Sequence, residues 1–433
     1  MQLHIINRVR NKIRNNQKVV NNAFFLSLIQ IVNYLLPLIT IPYIVRVMGT
    51  EKFGFVAFAW SLMAYFQIVI DYGFNLSATR EVSLHKQDTF WLSKQFFSIL
   101  LIKGVLCLFC LIILGTIILT IPRFYDESLF YLVTFGGVAG TILFPVWFFQ
   151  GMEEMGYITI FNLISKTIIT VFYFILIKGP ADYLWFAWLG VIASWSTGIV
   201  SFYIVIKRYN IHLTIPNIAY LKSCMSEGFQ IFITQVSVSL FTNSNTFVLG
   251  LFTNNTIVGQ YAIAEKIVRA VVFLSAPIGT AIFPHVSTLF AESKKRALEF
   301  LKKILIAGSS IFTLMSILLF IGADTLVWIV SGHKSGEISL LIKIMSILPL
   351  SVFVDNIFGT QILLNINLKN VFMWIIVVGG IFSLGLQILL VPIIKATGTA
   401  TAFVVSELLM MFFMVIFVRK EGIRLLTGEK TYI

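Results

Sequence analysis

The chain has 433 residues, 58% of them hydrophobic and 12% charged, with a mean hydropathy of +0.92. A water-soluble domain carries about 25% charged residues, so this composition leaves too little polar surface to coat a soluble particle, and lipid is the expected solvent. The net charge of +13 does not imply nucleic acid. The basic residues are scattered in short polar gaps between apolar runs, as in loops that face anionic lipid.

Residues 1–18 form a basic tail ahead of the first long apolar run, which lacks a small-residue cleavage site and is expected to persist as a helix. Crossing the hydrocarbon core takes about 20 apolar residues. Twelve runs qualify: 22–47, 54–75, 95–120, 128–150, 157–178, 183–206, 229–252, 258–288, 301–321, 338–364, 371–394 and 397–418. Their apolar character is continuous rather than alternating, which selects helices over a barrel. The expected fold is an all-α polytopic membrane protein with 12 transmembrane helices.

In chain order, the first run carries Gln30, Pro37 and Pro42 and ends near Arg46; the second holds Asp71, and Arg80 follows it. The third holds Lys103 and the C-x-x-C of Cys107 and Cys110, which without a second pair reads as small helix residues rather than a zinc or redox motif. The fourth carries Pro145 and the fifth Lys166. The seventh has Gln235 and the polar stretch Thr242–Thr246, where Asn243 and Asn245 would suit sugar hydroxyls. The eighth carries Glu265, Lys266, Arg269, Pro277 and Pro284; the tenth Lys343, Pro349 and Asp355; the eleventh Pro392; the twelfth Glu407. Prolines inside spans kink helices.

With the N-terminus in the cytoplasm, cytoplasmic segments carry 21 Lys and Arg, opposite segments 6, and spans 5. This asymmetry places both termini inside and leaves short outer loops with no room for a catalytic domain. An internal echo divides the spans. Gly54-Phe-Val-Ala57-Phe-Ala59 matches Gly259-Gln-Tyr-Ala262-Ile-Ala264 at an offset of 205 residues, and the same offset brings Gln30 onto Gln235. Two parallel six-helix repeats follow, 19–210 and 211–418, with a basic cytoplasmic tail at 419–433; a substrate path between such repeats is a recurrent transporter plan.

Charges within spans cost about 2.5–3.5 kcal/mol each at a helix centre, so they face a cavity or a partner. Arg46, Arg80, Lys103, Lys166, Lys266 and Arg269 are candidates for a cationic cavity that takes an anionic head group. Asp71, Glu265, Asp355 and Glu407 are candidates for ion coupling or gating. For each, a structural ion pair is the competing reading. Glu265 and Arg269 are spaced to pair along one helix face, Lys103 and Lys166 have no acidic neighbour on their own helices, and Glu407 has no nearby cation in sequence. Gln30, Gln235, Asn243 and Asn245 are the sugar-contact candidates. No catalytic constellation, metal spacing or cofactor motif appears; the five histidines are dispersed.

Several stretches resemble a known family. Pro42-Tyr-Ile-Val-Arg-Val-Met-Gly49 is followed by Phe53-Gly54, then Asp71-Tyr-Gly-Phe74, Ala78-Thr-Arg-Glu81 and Phe148-Phe-Gln-Gly-Met-Glu-Glu-Met-Gly156. Together they resemble Wzx-type polysaccharide flippases of the multidrug/oligosaccharidyl-lipid/polysaccharide exporter superfamily. The resemblance implies a V-shaped pair of six-helix lobes in the bacterial inner membrane. It implies an undecaprenyl-pyrophosphate-linked oligosaccharide turned from the cytoplasmic to the periplasmic leaflet for O-antigen or capsule assembly. It further implies alternating access, H+ or Na+ as coupling ion, membrane lipids as surroundings, a polysaccharide polymerase and chain-length regulator as partners, and functional weight on Arg46, Asp71 and Arg80. A multidrug or cation antiporter of the same superfamily is the first alternative. A membrane-embedded polymerase or ligase is the second, and lacks the long outer loop it would need. A scaffold for polysaccharide assembly is the third.

Overall fold

The computed structural model describes residues 2–423 and Leu425, with the side chains of residues 2–35 and of Phe241 outside the description. Helices are the regular elements among the described residues, and nine helical stretches in them are long and apolar enough to cross a membrane. The protein is thus a multi-pass α-helical membrane protein.

The first helix, α1 (Gln2–Asp71), breaks at Gly49, whose φ of 76° suits a residue without Cβ. Then come α2 (Phe74–Leu84), α3 (Thr89–Thr120), α4 (Ser128–Gly140), α5 (Val146–Gly151), α6 (Met155–Leu176) and α7 (Tyr183–Arg208). After an irregular stretch come α8 (Ile218–Thr242), α9 (Ser244–Phe252), α10 (Asn255–Val272), α11 (Ser275–Glu292) and α12 (Lys294–Ser331). The chain ends with α13 (Gly336–Met345), α14 (Leu348–Asp355), a π-helical segment Asn356–Leu363, and α15 (Lys369–Lys420), which breaks at Ile394 and Lys395. Several apolar runs are therefore interrupted helices. The stretch Thr242–Thr246, expected inside one continuous helix, straddles the break between α8 and α9 at Asn243.

The chain divides into two compact units. One comprises residues up to Thr40 with Leu62–Val236; the other comprises Ile41–Ser61 with Ser237 onwards. In the first, Phe96, Trp147, Phe148 and Phe149 build a buried aromatic core with Phe74 from α2. Helix α2 lies close on α5: a Cβ at Gly151 would come within 2.6 Å of the Val82 side chain. Lipid offers no hydrophobic drive between helices, so such small-residue contacts carry much of the association. In the second unit Phe312 stacks on Phe353 at 4.8 Å, and α12 admits that ring only because residue 308 is glycine.

Candidate functional site

Asp71 closes α1, where a carboxylate opposes the helix dipole. The next two residues, Tyr72 and Gly73, both have positive φ, 45° and 77°, and turn the chain into α2. Glycine is needed at 73, since a Cβ there would sit 2.8 Å from the Ile231 side chain. The unfavourable carboxylate is compensated from two sides. Lys103 Nζ of α3 donates to Asp71 Oδ1 at 2.8 Å, and Gln67 Nε2 donates to Asp71 Oδ2 at 2.9 Å. The Gln67 amide also bonds the Thr141 hydroxyl at 3.1 Å. Lys103 is buried, while the Asp71 side chain keeps 27% exposure, so the pair opens on the carboxylate side. Lys103, without an acid on its own helix, finds one on a neighbour; Gln67 and Thr141 escaped sequence reasoning because uncharged residues in apolar runs carry no signal of their own.

Lys166 of α6 is half-buried, and Arg80 of α2 is exposed. Arg46 does not join Lys103 in the first unit as expected. It belongs to the second, where its guanidinium donates to the Ile329 carbonyl near the end of α12.

The second unit gathers charges from three helices. Arg269 of α10 binds Glu265 one turn earlier, Nη2 to Oε1 at 2.8 Å, and its Nη2 donates to the Thr242 carbonyl at 3.1 Å, at the break between α8 and α9. Arg269 also lies over the Phe403 ring at 5.7 Å. Glu407 of α15 is not remote from cations, as its sequence surroundings imply. It lies in the field of Arg269 and within hydrogen-bond reach of Asp355. Glu265 and Glu407 are both buried. Lys266, next in sequence to Glu265, is exposed.

Asn245 is fully buried, so it does not meet sugar in this state. Its Oδ1 accepts from Gln387 Nε2 at 2.8 Å, and Gln387 also reaches Ser383 at 3.1 Å. Asn243 donates to the Ser239 hydroxyl at 3.0 Å. Gln235 is exposed, and the Gln30 side chain lies outside the described residues. Among the described residues, no group of three His, Cys, Asp or Glu side chains is disposed to hold a metal ion.

Interrupted membrane helices with charges buried inside them define a transporter-type fold. Solved structures agree on that fold. One is titled "Inward-facing conformation of a multidrug resistance MATE family transporter of the MOP superfamily". It aligns with a TM-score of 0.68 at 12% identity, over 90% of this chain and 98% of that one. Another, "Lipid II flippase MurJ, inward closed conformation", aligns at 0.63 with 13% identity, over 92% and 87%. In sequence, the chain is 29% identical over 407 residues to a protein of Escherichia coli (strain K12) named "Putative O-antigen transporter", covering 94% of this chain and 98% of that one. A protein of the same name from Shigella dysenteriae is 26% identical over 395 residues, covering 91% and 98%. Residues 19–290 match the family described as polysaccharide biosynthesis protein, and the chain belongs to that family.

Proposed function

We propose that this protein is a flippase. It moves undecaprenyl-pyrophosphate-linked oligosaccharide repeat units from the cytoplasmic to the periplasmic leaflet of a bacterial inner membrane, for O-antigen or capsule assembly. The observation that carries the reading is a match along nearly the full chain to two proteins named as O-antigen transporters. The chemistry agrees. A sugar-pyrophosphate head cannot cross hydrocarbon unaided, whereas its polyprenyl tail can remain in lipid, so a carrier needs to shelter only the head.

Twelve spans follow from the nine stretches if the breaks at Gly49 and at Ile394–Lys395 each separate two crossings and α8 with α9 forms another. The two repeats, 19–210 and 211–418, then run parallel with both termini in the cytoplasm, as the loop charges require. Lys103 is the first candidate for the pyrophosphate, a head group that would compete with Asp71 for the same ammonium; Lys166, Arg80 and Lys266 are further contacts. In the second unit Glu265 pairs with Arg269, while Glu407 lies in the field of Arg269 and beside Asp355. Two neighbouring buried carboxylates call for added positive charge, and exchange of H+ or Na+ at Glu407 and Asp355 would couple the cycle to an ion gradient. A polymerase and a chain-length regulator would receive the product.

The test is deletion of the gene in a strain without a redundant flippase. Surface polysaccharide should disappear while lipid-linked repeat units collect on the cytoplasmic side. Normal surface polymer would sink the reading; normal polymer with new sensitivity to toxic cations would favour a multidrug antiporter instead, a role compatible with the acidic cluster of the second unit.

A further inference from the structure

The two glycines that head the internal echo meet each other. A Cβ built on Gly54 would overlap the carbonyl oxygen of Asn255, and one built on Gly259 would overlap the carbonyl oxygen of Thr50. Position 255 is 50 advanced by 205, and 259 is 54 advanced by the same offset. Exchanging the repeats therefore turns each half of the contact into the other, which is the mark of a two-fold, self-complementary interface. Two backbones touch at its centre. Ala59 and its counterpart Ala264 lie fully buried one turn further along. Beside them Phe58 stacks on Phe247 at 5.8 Å and occupies the space left by the missing side chain of Gly250.

A second contact holds the same segment. The Arg46 guanidinium caps the Ile329 carbonyl, and its side chain lies about where a Cβ of Gly332 would touch it, at 3.5 Å. A cation on the carbonyls of a helix C-terminus is a favourable pairing. Hairpin 41–61 belongs to the first repeat by sequence but packs within the second unit, held by a glycine seam and an arginine clasp.

We propose that this seam is the outer gate of the carrier, closed in this state, and that Gly54, Gly259 and Arg46 set the balance between its closed and open forms. The assignment of the seam to the outer side rests on the flippase reading and its orientation. Nothing the size of a sugar passes between backbones in contact, so a path at this place must open by parting them. Glycine suits such a gate, because it seals closely without presenting apolar side chains that would resist separation. Arg46 is exposed, so water can replace its bond when the clasp releases. This makes Arg46 a gate residue rather than a contact for the head group.

The test uses a chain in which Cys107, Cys110 and Cys224 are replaced by serine and Ala59→Cys or Ala264→Cys is the reporter, probed on intact spheroplasts with a membrane-impermeant maleimide. The parent reporter should be protected. An open form held at roughly 1–10% leaves room for labelling to rise about tenfold in Gly54→Ala, Gly259→Ala and Arg46→Ala. Gly115→Ala, whose Cβ would meet nothing within 4 Å, should leave it unchanged. Unchanged labelling in all three variants at normal protein level overturns the proposal. So does loss of both glycine variants from the membrane together with unchanged labelling of Arg46→Ala, which would make the seam a folding contact. Labelling reads the gate without reference to cargo. If the variants label as expected but gene deletion leaves surface polymer normal, the flippase reading falls and the gate stands.

Discussion

Lys103 illustrates what a single residue shows in sequence and what it hides. A lysine in the middle of the apolar run 95–120 is legible as costly and therefore partnered. Its partner is not legible, because Asp71 lies 32 positions earlier on another helix. The pair changes the expected behaviour of substitutions. From sequence alone, Lys103→Ala should impair export and spare protein level. With Asp71 bound to Lys103, removing the cation leaves a half-buried carboxylate without its ion partner, a loss below the ~3–5 kcal/mol of a fully buried pair. Lys103→Met should therefore lower the amount of folded protein in the membrane, and Asp71→Asn in the same chain should restore it. Export in the double variant then separates the roles: recovery marks the pair as structural, and continued failure at normal protein level marks Lys103 as a contact for the anionic head. Glu407 is the mirror case. Its sequence neighbours offer no cation, yet Arg269 and Asp355 face it from two other helices. Glu407→Gln keeps shape while removing one charge, and should leave protein level near normal while changing the dependence of export on the ion gradient, read by adding an ionophore. An unaltered ionophore response would remove Glu407 from the coupling role.

At the scale of elements, hydropathy locates most runs, because a span must be apolar for about 20 residues. It places two of the breaks, since the gaps after residues 47 and 394 take in Gly49 and Lys395. It misses the one at Asn243, which falls inside the run 229–252 and comes from backbone conformation that leaves the apolar count unchanged. Nor does it see which small residues are required. Gly115 and Gly308 are both glycines within apolar helices. A Cβ at 115 meets open space, whereas one at 308 would overlap the Phe353 ring, itself stacked on Phe312 in a filled core. Overpacking of this kind costs about 1–3 kcal/mol, while glycine to alanine at an unhindered helical position gains about 0.5–1 kcal/mol. In thermal melts of the detergent-purified protein, Gly308→Ala should lower the midpoint and Gly115→Ala should keep or raise it. Equal midpoints would mean that α12 shifts freely against α14, contrary to the packing described.

For the molecule as a whole, two features reach beyond any one helix: the 205-residue echo and the skew of basic loops. The echo rests on a few glycines and alanines, and in the fold its leading pair touches, so what reads in sequence as the sign of a repeat is also a contact. The skew of basic loops concerns orientation, and α12 offers a compact way to test it. This helix has 38 residues, about 57 Å at 1.5 Å per residue, well beyond a hydrocarbon core of about 30 Å. The surplus carries Lys294, Lys295, Arg296, Lys302 and Lys303 at its beginning, while its other end runs into a short loop at Gly332. Basic residues are retained on the cytoplasmic side, whereas acidic residues have little influence on orientation. Glu292 and Glu337, both exposed and just outside the two ends, can therefore become cysteines without disturbing the signal. In the chain lacking its native cysteines, Glu337→Cys should react with an impermeant maleimide in intact spheroplasts, and Glu292→Cys only after the membrane is permeabilised. The reverse pattern would invert the protein, moving the glycine seam to the cytoplasmic side. Labelling of both sites in intact spheroplasts would mean that α12 does not cross, and with it the count of twelve spans would fail.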